Sequence, residues 1–293
     1  MAALVGIILI TLVTGGRRRD VNGQWNFGVD PDGRLLLSTR AARLSWGQAI
    51  RAMRGRKAAH IRTASLAGIE ELRSAKLELT LTPIGIGAAD LHQLHDLNNI
   101  TTLELYNTDI ADISALTALT SLKSLNLSQT KVKDISWLRP LRNLRTLQLY
   151  RTEIEDITPL SALINLEELD VSFTEVTNID PLRGLERLKK LDLDVTKVAD
   201  ISALSRLPQL ERLSLFHTNV ADVGPLCGLA RLGYLDLRES KVRDVSGLSK
   251  VLSLRYLDLQ GMTETNGISV LRGLKNLTLI EPDAPVVDDS PQR

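Results

Sequence analysis

A strict 22-residue period governs most of this chain and limits what it can fold into. Leucines recur at that spacing, and each opens an L-x-L pair except where Val171 replaces the second leucine. A fixed period of this length indicates stacked copies of one structural unit, each burying its apolar face against its neighbours. The leucines that define the period are Leu103, Leu125, Leu147, Leu169, Leu191, Leu213, Leu235 and Leu257.

Each repeat has three parts. The L-x-L segment alternates, which predicts a short strand with its leucines in the core. A turn with a threonine column follows, and then apolar residues every third position, a period that suits a 3₁₀-like or extended segment better than an α-helix. The predicted fold class is an α/β solenoid with a parallel concave β-sheet and a 3₁₀-like or extended convex side, preceded by a small α+β cap. The threonine column is Thr108, Thr130, Thr152, Thr174, Thr196, Thr218 and then Ser240.

The pattern L-x-L-x-x-T-x-I-x-D-I-S-x-L-x-x-L-x-x-L over about residues 79–280 resembles the bacterial internalin-type leucine-rich repeat. That family commonly has asparagine where this chain has threonine. Since threonine offers one hydroxyl and asparagine two polar groups, we expect a related but not identical hydrogen-bond ladder. The resemblance implies a horseshoe-like solenoid that binds a macromolecule, without indicating which one.

The sequence predicts four segments: an apolar segment 1–16, a basic α+β cap 17–77, a repeat domain 78–280 and a disordered tail 281–293. Residues 1–77 carry 13 Lys and Arg against 5 Asp and Glu, whereas the remainder carries 23 against 30. A basic head indicates either an anionic neighbour, such as a membrane surface or nucleic acid, or a solvated surface.

The head has its own secondary-structure signals. Apolar alternation at residues 25–29 and 35–37, around the turn signal Asp-Pro-Asp-Gly, predicts a β-hairpin. Ser45 with Gln48 is a capping-box pattern that predicts a helix from Trp46. A second helix is predicted from Thr63 to Ala75.

The first sixteen residues admit three interpretations. The apolar run is short of a full membrane span, about 22 Å against roughly 30 Å. A membrane anchor is favoured, and the basic residues 17–19 would then keep the following domain in the cytoplasm. An exported protein with a signal peptide is the second interpretation, although the charges lie on the unusual side. A buried strand, or a wrongly assigned start of the chain, is the third. Membrane association through residues 1–19 is therefore predicted.

Candidate catalytic and metal-binding residues are few. The single cysteine, Cys227, cannot form an intramolecular disulfide, which fits a reducing compartment or a bacterial origin. His92 and His95 have helical spacing but no evident third ligand. A column of six Asp and Asn178 recurs at the 22-residue period, and each member is predicted to accept hydrogen bonds within its own turn. A Ser-rich column two residues later is predicted to cap helices. Pro159, Pro181 and Pro225 follow members of that second column, at the first helical position that proline favours. No cofactor, metal or enzymatic activity is expected.

The binding surface is predicted on the concave face. Six of the seven Tyr and Phe residues lie in the columns between and after the buried leucines, beside charged residues, a composition typical of binding surfaces. The predicted function is therefore the binding of a protein partner on this face. Because the repeats are acidic, a partner with a basic surface is expected. The alternative is docking of the basic head on a membrane or nucleic acid, of which nucleic acid is not favoured. The predicted partner-binding residues are Tyr106, Tyr150, Asp170, Phe173, Asp192, Asp194, Phe216, His217, Tyr234, Asp236, Arg238, Tyr256 and Asp258.

Overall fold

The chain forms two compact units, Met1–Glu153 and Ile154–Arg293. The boundary between them falls inside the predicted repeat domain, so repeats occur in both. A computed structural model describes residues 8–13, 26–29, 34–38, 58–63, 69–74, 78–83, 86–262 and 265–282. The predicted helix from Trp46 and nearly all of the predicted disordered tail lie outside these residues.

The first unit opens with antiparallel strands. They are β1 (Ile8–Val13), β2 (Asn26–Val29), β3 (Arg34–Ser38) and β4 (Ala58–Thr63). Strands β2 and β3 pair with Phe27 opposite Leu37, which confirms the predicted hairpin. Strand β1 pairs antiparallel with both β3 and β4.

The apolar N-terminal run therefore contains a paired strand at Ile8–Val13, which is the third interpretation offered by the sequence. Within the described ranges, no helix combines the length and apolar character that a membrane crossing requires. Association of residues 1–19 with a membrane stays a prediction.

From β4 onward the strands of the first unit are parallel. Leu103, Leu125 and Leu147 lie in register on successive strands, as the 22-residue period predicts. The strands are β5 (Glu78–Pro83), β6 (Ile100–Glu104), β7 (Ser124–Asn126) and β8 (Thr146–Gln148). The 3₁₀ helices are η1 (Ile69–Ser74), η2 (Ala88–Leu94), η3 (Ser114–Ala118) and η4 (Ser136–Leu138).

The prediction of a helix from Thr63 to Ala75 is wrong in extent and type. Thr63 ends strand β4, and the rest of that range that the structure describes, residues 69–74, is the 3₁₀ helix η1. Ile69 and Leu72 are both fully buried, and a spacing of three fits the three-residue turn of a 3₁₀ helix.

The second unit continues the same repeat. Its described strands all pair in parallel with Leu above Leu. They are β9 (Glu168–Asp170), β10 (Lys190–Asp192), β11 (Arg212–Ser214), β12 (Tyr234–Asp236), β13 (Tyr256–Asp258) and β14 (Thr278–Ile280). The helices are η5 (Thr158–Ala162), η6 (Asp180–Gly184), η7 (Ser202–Arg206), η8 (Gly224–Leu226), η9 (Ser246–Lys250) and a short α1 (Ile268–Leu271).

The core of each unit is the leucine ladder. In the repeat that contains β10, the side chains of Leu191 and Leu193 point inward from the strand and meet Ile201 and Leu204 from the helical side. All four are at most 2% exposed. Burying one such side chain contributes about 1.5–3 kcal/mol. Parallel strands and 3₁₀ helices stacked on a leucine core are the predicted fold class.

The Asp column begins the 3₁₀ helices. Oδ1 of Asp112 accepts a hydrogen bond from the backbone N–H of Ser114 at 2.9 Å, and this bond lowers the pKa of Asp112. The prediction that each Asp serves its own turn is confirmed, whereas the prediction that the Ser-rich column caps the helices is wrong. The carboxylate or amide two residues earlier already satisfies the free N–H. The other pairs are Asp134–Ser136, Asp156–Thr158, Asn178–Asp180, Asp200–Ser202, Asp222–Gly224 and Asp244–Ser246.

The threonine column also bonds within its own repeat. Thr152 Oγ1 donates to the carbonyl of Leu149 at 2.8 Å, and the five other threonines of the column repeat this bond to the residue three positions earlier. The single hydroxyl therefore closes its own turn, while backbone bonds such as Lys131 N to Ile110 O join consecutive repeats. Ser240 breaks the column, because its buried hydroxyl has no hydrogen-bond partner among the described residues.

Candidate partner-binding surface

The backbone of each repeat directs a fixed set of side chains away from the core. Along a strand, the residues on either side of the first leucine face outward, as Tyr234 and Asp236 do around Leu235. The third residue after that leucine, such as Arg238, lies beside them at the end of the strand. The fourth takes a left-handed backbone conformation in every repeat from Asn107 (φ 55°) to Gly261 (φ 70°). This turn directs the chain from the strand toward the helical side.

A pair of stacked tyrosines is the most ordered outward feature of the second unit. Tyr234 and Tyr256 are direct partners on β12 and β13, and their rings lie 4.7 Å apart and within 2° of parallel. The guanidinium carbon of Arg212, in the same column on β11, lies 4.0 Å from the centre of the Tyr234 ring. Burial raises the pKa of Tyr234, and the bond from the Tyr256 hydroxyl to Asp258 raises that of Tyr256. Both phenols are therefore neutral donors at physiological pH.

Two buried carboxylates hold an arginine beside the tyrosines. Asp236 is 1% exposed, and it accepts three hydrogen bonds from the Arg238 side chain at 2.6–3.0 Å. Asp258, 5% exposed, lies 3.7 Å from Arg238 Nε and accepts the Tyr256 hydroxyl bond at 3.0 Å. The Arg238 guanidinium also lies 4.9 Å from the centre of the Phe216 ring. These bonds fix the arginine and raise its pKa.

Three further carboxylates form an acidic stretch, defined as Asp170, Asp192 and Asp194. Asp194 accepts a bond from the backbone N–H of Phe216 at 2.9 Å, and Asp192 accepts one from the N–H of Asp194 at 3.0 Å. The pKa of Asp192 is raised to about 7, first by burial and then by the negative charge of Asp194. Burial also raises the pKa of Asp194.

The predicted residues fall into three groups. Tyr106 and Tyr150 lie in the first unit, where Tyr106 is 47% exposed. Phe173 and His217 occupy the left-handed turn position and are both exposed. His217 contacts Glu239 at 3.0 Å across one repeat. The remaining nine lie together on or just after strands β9–β13 of the second unit: Asp170, Asp192, Asp194, Phe216, Tyr234, Asp236, Arg238, Tyr256 and Asp258.

A depression of about 630 Å³ borders the stacked tyrosines, where strands β11–β13 begin. Tyr234 and Tyr256 are predicted partner-binding residues, but the other lining residues are not among those predicted from the sequence. Arg212 shares the column of the two tyrosines at the 22-residue period, and that shared column is the signal that could have identified Arg212. The depression is lined by Glu211, Arg212, Arg231, Gly233, Tyr234, Arg255 and Tyr256.

The site offers recognition chemistry. Aromatic faces, guanidinium groups and neutral phenols can bind a partner through stacking and hydrogen bonds. Within the described part of the chain, no group of three or more His, Cys, Asp or Glu residues could hold a metal ion. His92 and His95 instead bond through Nδ1 to backbone carbonyls of Ala89 and His92.

Comparisons with known proteins agree with this architecture. A family model described as leucine-rich repeats (2 copies) matches four overlapping stretches, residues 98–140, 120–162, 142–182 and 164–206. No curated protein matches the chain. Among solved structures, the leucine-rich-repeat ectodomain of the Arabidopsis thaliana membrane receptor kinase GASSHO1/SCHENGEN3, in complex with CASPARIAN STRIP INTEGRITY FACTOR 2, matches at 16% identity with a TM-score of 0.60, over 73% of this chain and 31% of the receptor chain. At that identity the likeness shows the fold alone.

Two internalins of Listeria monocytogenes are more similar in sequence. Internalin F is 27% identical with a TM-score of 0.67, over 75% of this chain, and the match spans 63% of the internalin F chain. Internalin C2 is 30% identical with a TM-score of 0.60, over 67% of this chain and 84% of the internalin C2 chain. Shared sequence and fold lead to one conclusion: this chain belongs to the internalin-type leucine-rich-repeat family.

Proposed function

We propose that this protein binds a protein partner through the outward side of strands β9–β13. The surface that carries the proposal is the tyrosine patch, defined as Arg212, Phe216, Tyr234, Arg238 and Tyr256. Its decisive feature is the stacked pair Tyr234 and Tyr256 under a guanidinium group. Tyrosine and arginine are the side chains most enriched where a few residues supply most of the binding energy.

The patch is held in place before any partner arrives. Asp236 fixes Arg238 through three hydrogen bonds, and Tyr256 is tied to Asp258. Because these side chains are already ordered, a partner would not bear the cost of about 0.5–1.5 kcal/mol per immobilised side chain. Such preorganisation favours tight binding from a small contact area.

The patch carries positive charge and has negative charge beside it. Arg212 lies within the patch at the start of strand β11, and the acidic stretch lies on and just after the preceding strands β9 and β10. The partner is therefore expected to place basic groups near Asp170 and Asp194, which is how the acidic excess of the repeats would select a partner with a basic surface. Such complementarity mainly sets partner choice and association rate.

The fold supports a binding role. Leucine-rich-repeat proteins are typically interaction scaffolds, and the Arabidopsis receptor ectodomain of the same fold is in complex with a partner. We assign no catalytic step to this chain. The basic head, residues 17–62, is the alternative binding region.

The proposal can be tested with a photo-crosslinker. A benzophenone side chain in place of Gln260, which is exposed and adjoins the patch, should capture a protein partner when the full-length chain is incubated with extract. Excess unlabelled wild type should prevent capture, whereas excess Y234A/Y256A should compete at least about 30-fold less well. That ratio corresponds to a hot-spot loss of about 2 kcal/mol.

The matched control removes apolar surface elsewhere in the same unit. Ile164 and Leu252 are 58% and 75% exposed and lie beside the 3₁₀ helices. The I164A/L252A variant should compete like wild type. If Y234A/Y256A competed equally well, the strand surface would not be the binding site, and salt-dependent binding through residues 17–62 would be tested instead.

A further inference from the structure

One side chain is missing from the lining of the depression beside the tyrosine patch. The position two residues before each core leucine carries Lys189, Glu211 and Arg255 in neighbouring repeats, but Gly233 between the last two. The backbone does not require glycine there, because Gly233 is not among the residues with a left-handed conformation. Packing does not require it either, since an added Cβ would come no closer than 3.8 Å to any atom. The gap is therefore a property of the surface and not of the fold.

Arg231, which lines the depression, stands in a column whose members in several other repeats form hydrogen bonds to the preceding repeat. In the column four residues before the core leucine, Asn99 and Asn143 donate side-chain bonds to the backbone of the preceding repeat, at Leu72 O and Thr120 O. Ser253 bonds in the same way to Leu232 O at 2.8 Å. Arg231 occupies this column but forms no hydrogen bond or ion pair with the residues that the structure describes.

The other arginines of the depression also lack a carboxylate partner among the described residues. Arg212 contacts the face of Tyr234, and Arg255 donates to the carbonyls of Leu252 and Leu254 at 3.0 and 3.1 Å. Elsewhere on the same unit, basic side chains find acidic neighbours one repeat away, as Lys190 does with Glu168 at 2.7 Å. Three arginines thus line this open space, and Glu211 is the one acidic residue in its lining.

We propose that this depression binds a carboxylate side chain from an acidic segment of the protein partner. Arg212 and Arg231 supply paired N–H donors that match the two oxygens of a carboxylate. The proposal rests on the proposed function and adds the chemistry of one contact: the acidic group enters the depression while the adjoining residue lies on the stacked tyrosines.

Local charge favours a short acidic segment over a nucleic acid. Glu211 is in the lining of the depression, and the acidic stretch lies on and just after the strands β9 and β10 that precede it. A strand of phosphates that continued along the surface would meet these carboxylates, whereas a short acidic segment confined to the depression would avoid the acidic stretch. Together with the acidic stretch, the depression gives the surface two ends of opposite charge, which would fix the direction of a bound segment.

The test is a titration of the full-length, ¹⁵N-labelled chain with tetraglutamate, tetralysine or a short oligothymidylate. The Nε–Hε signals of Arg212 and Arg231, assigned through R212K and R231K, report the site directly. Tetraglutamate should shift both signals saturably, and tetralysine should not. Binding at least tenfold tighter by the oligothymidylate at the same two signals would overturn the proposal in favour of nucleic acid, as would the absence of saturable shifts.

Variants sharpen the result. G233L should fill the depression and weaken tetraglutamate binding at least tenfold, as should R212Q/R231Q, whereas E211Q should strengthen it about threefold. The control R206Q/R243Q removes the same charge from exposed arginines outside the depression and should change binding less than twofold. Equal weakening by the control would mean that net charge, and not this site, attracts the peptide.

The two proposals can fail separately. Suppose that unlabelled R212Q/R231Q competes for the cross-linked partner as well as unlabelled wild type does, whereas Y234A/Y256A competes poorly. The carboxylate subsite is then wrong and the binding surface stands. If Y234A/Y256A competes like wild type, the proposed function fails whatever the peptide titration shows.

Discussion

The two units have the same kind of leucine core, but they differ in the side chains that point outward from their strands. Leu125 in the first unit and Leu191 in the second are both at most 2% exposed and lie in the same strand position. In the outward column just before those leucines, the first unit carries Thr102, Ser124 and Thr146, which are small and neutral. The second unit carries mostly charged or aromatic residues there: Glu168, Lys190, Arg212, Tyr234, Tyr256 and then Thr278.

The depressions differ in the same way. The first unit also has one at the start of its strands, of about 410 Å³, but no aromatic ring lines it. Its lining residues are Asn98, Asn99, Thr101, Ser121, Lys123, Asn143 and Arg145. The repeat thus fixes where a surface depression can form, and the outward residues alone decide its chemistry. Stability and recognition are therefore separable in this fold, and the following predictions test that separation.

The largest effect should come from the core and should be equal in both units. Leu191→Ala and Leu125→Ala each remove a buried side chain with neighbours on both sides, so each should lower the free energy of unfolding by about 2–5 kcal/mol. Reversible urea unfolding with probes in each unit measures this. A loss below about 1 kcal/mol for either leucine would show that its repeat does not share the core.

The two units should differ in the stability lost when the residue directly after a core leucine is replaced. Asp236→Ala leaves Arg238 with only the 3.7 Å contact to Asp258 in a half-buried site, and the expected cost is about 2–3 kcal/mol. Asn126, at the same position in the first unit, accepts a bond from the N–H of Ser128 at 3.0 Å and bonds to the Glu104 side chain, and its loss leaves no arginine without its main partner. Asn126→Ala should therefore cost about 0.5–1.5 kcal/mol. Equal losses in the same unfolding assay would mean that Arg238 gains nothing from Asp236.

The free energy of unfolding of the second unit should also depend more strongly on pH than that of the first. The pKa of Asp192 in the folded chain is about 7, above the ordinary aspartate value of 3.8, so the folded state binds this proton more tightly. Its contribution to stability is present at low pH and is lost as pH rises from about 4 to about 7. Asp192→Asn should flatten this dependence and raise stability at pH 8 by on the order of 1 kcal/mol.

The first unit supplies the comparison for this effect. Burial also raises the pKa of Glu104, in the same column, while a bond with Asn126 lowers it. Glu104→Gln should act in the same direction but more weakly, because no second carboxylate is among the causes of its shift. Urea unfolding at pH 4, 6 and 8 measures both variants. A pH profile unchanged by Asp192→Asn would contradict the assignment.

The smallest predicted effect concerns the left-handed turn. Val195 has φ 53°, a conformation that crowds a β-branched side chain, whereas asparagine adopts it readily. Val195→Asn should stabilise the second unit by about 0.5–1 kcal/mol, since relief of strain exceeds the small loss of apolar burial. Gln129→Asn, at the same turn in the first unit (φ 58°), should gain less because glutamine is not β-branched. A loss of stability for Val195→Asn would show that valine packing outweighs the strain.

The sequence was sufficient for features that depend on period alone. The strand leucines, the alignment of Tyr234 with Tyr256, and the head hairpin all follow from spacing and turn residues. Features that depend on how neighbouring side chains share space could not be predicted. The sequence does not show that Asp236 is buried against Arg238, or that an unremarkable Gly233 opens a depression. Serine fits a capping role by residue type, but it is the first residue of its 3₁₀ helix, and the aspartate two positions earlier accepts a bond from the serine's own N–H.

The self-contained turn of each repeat has a consequence for how such a chain changes length. The threonine hydroxyl and the Asp or Asn oxygen both bond within the repeat that supplies them, as in Thr196 to Leu193 and Asp200 to Ser202. Duplication or loss of one whole 22-residue segment would therefore leave these polar groups satisfied and keep each leucine above another. Such a chain can gain or lose surface in fixed increments during evolution, so a binding site can be lengthened without redesigning what holds it together.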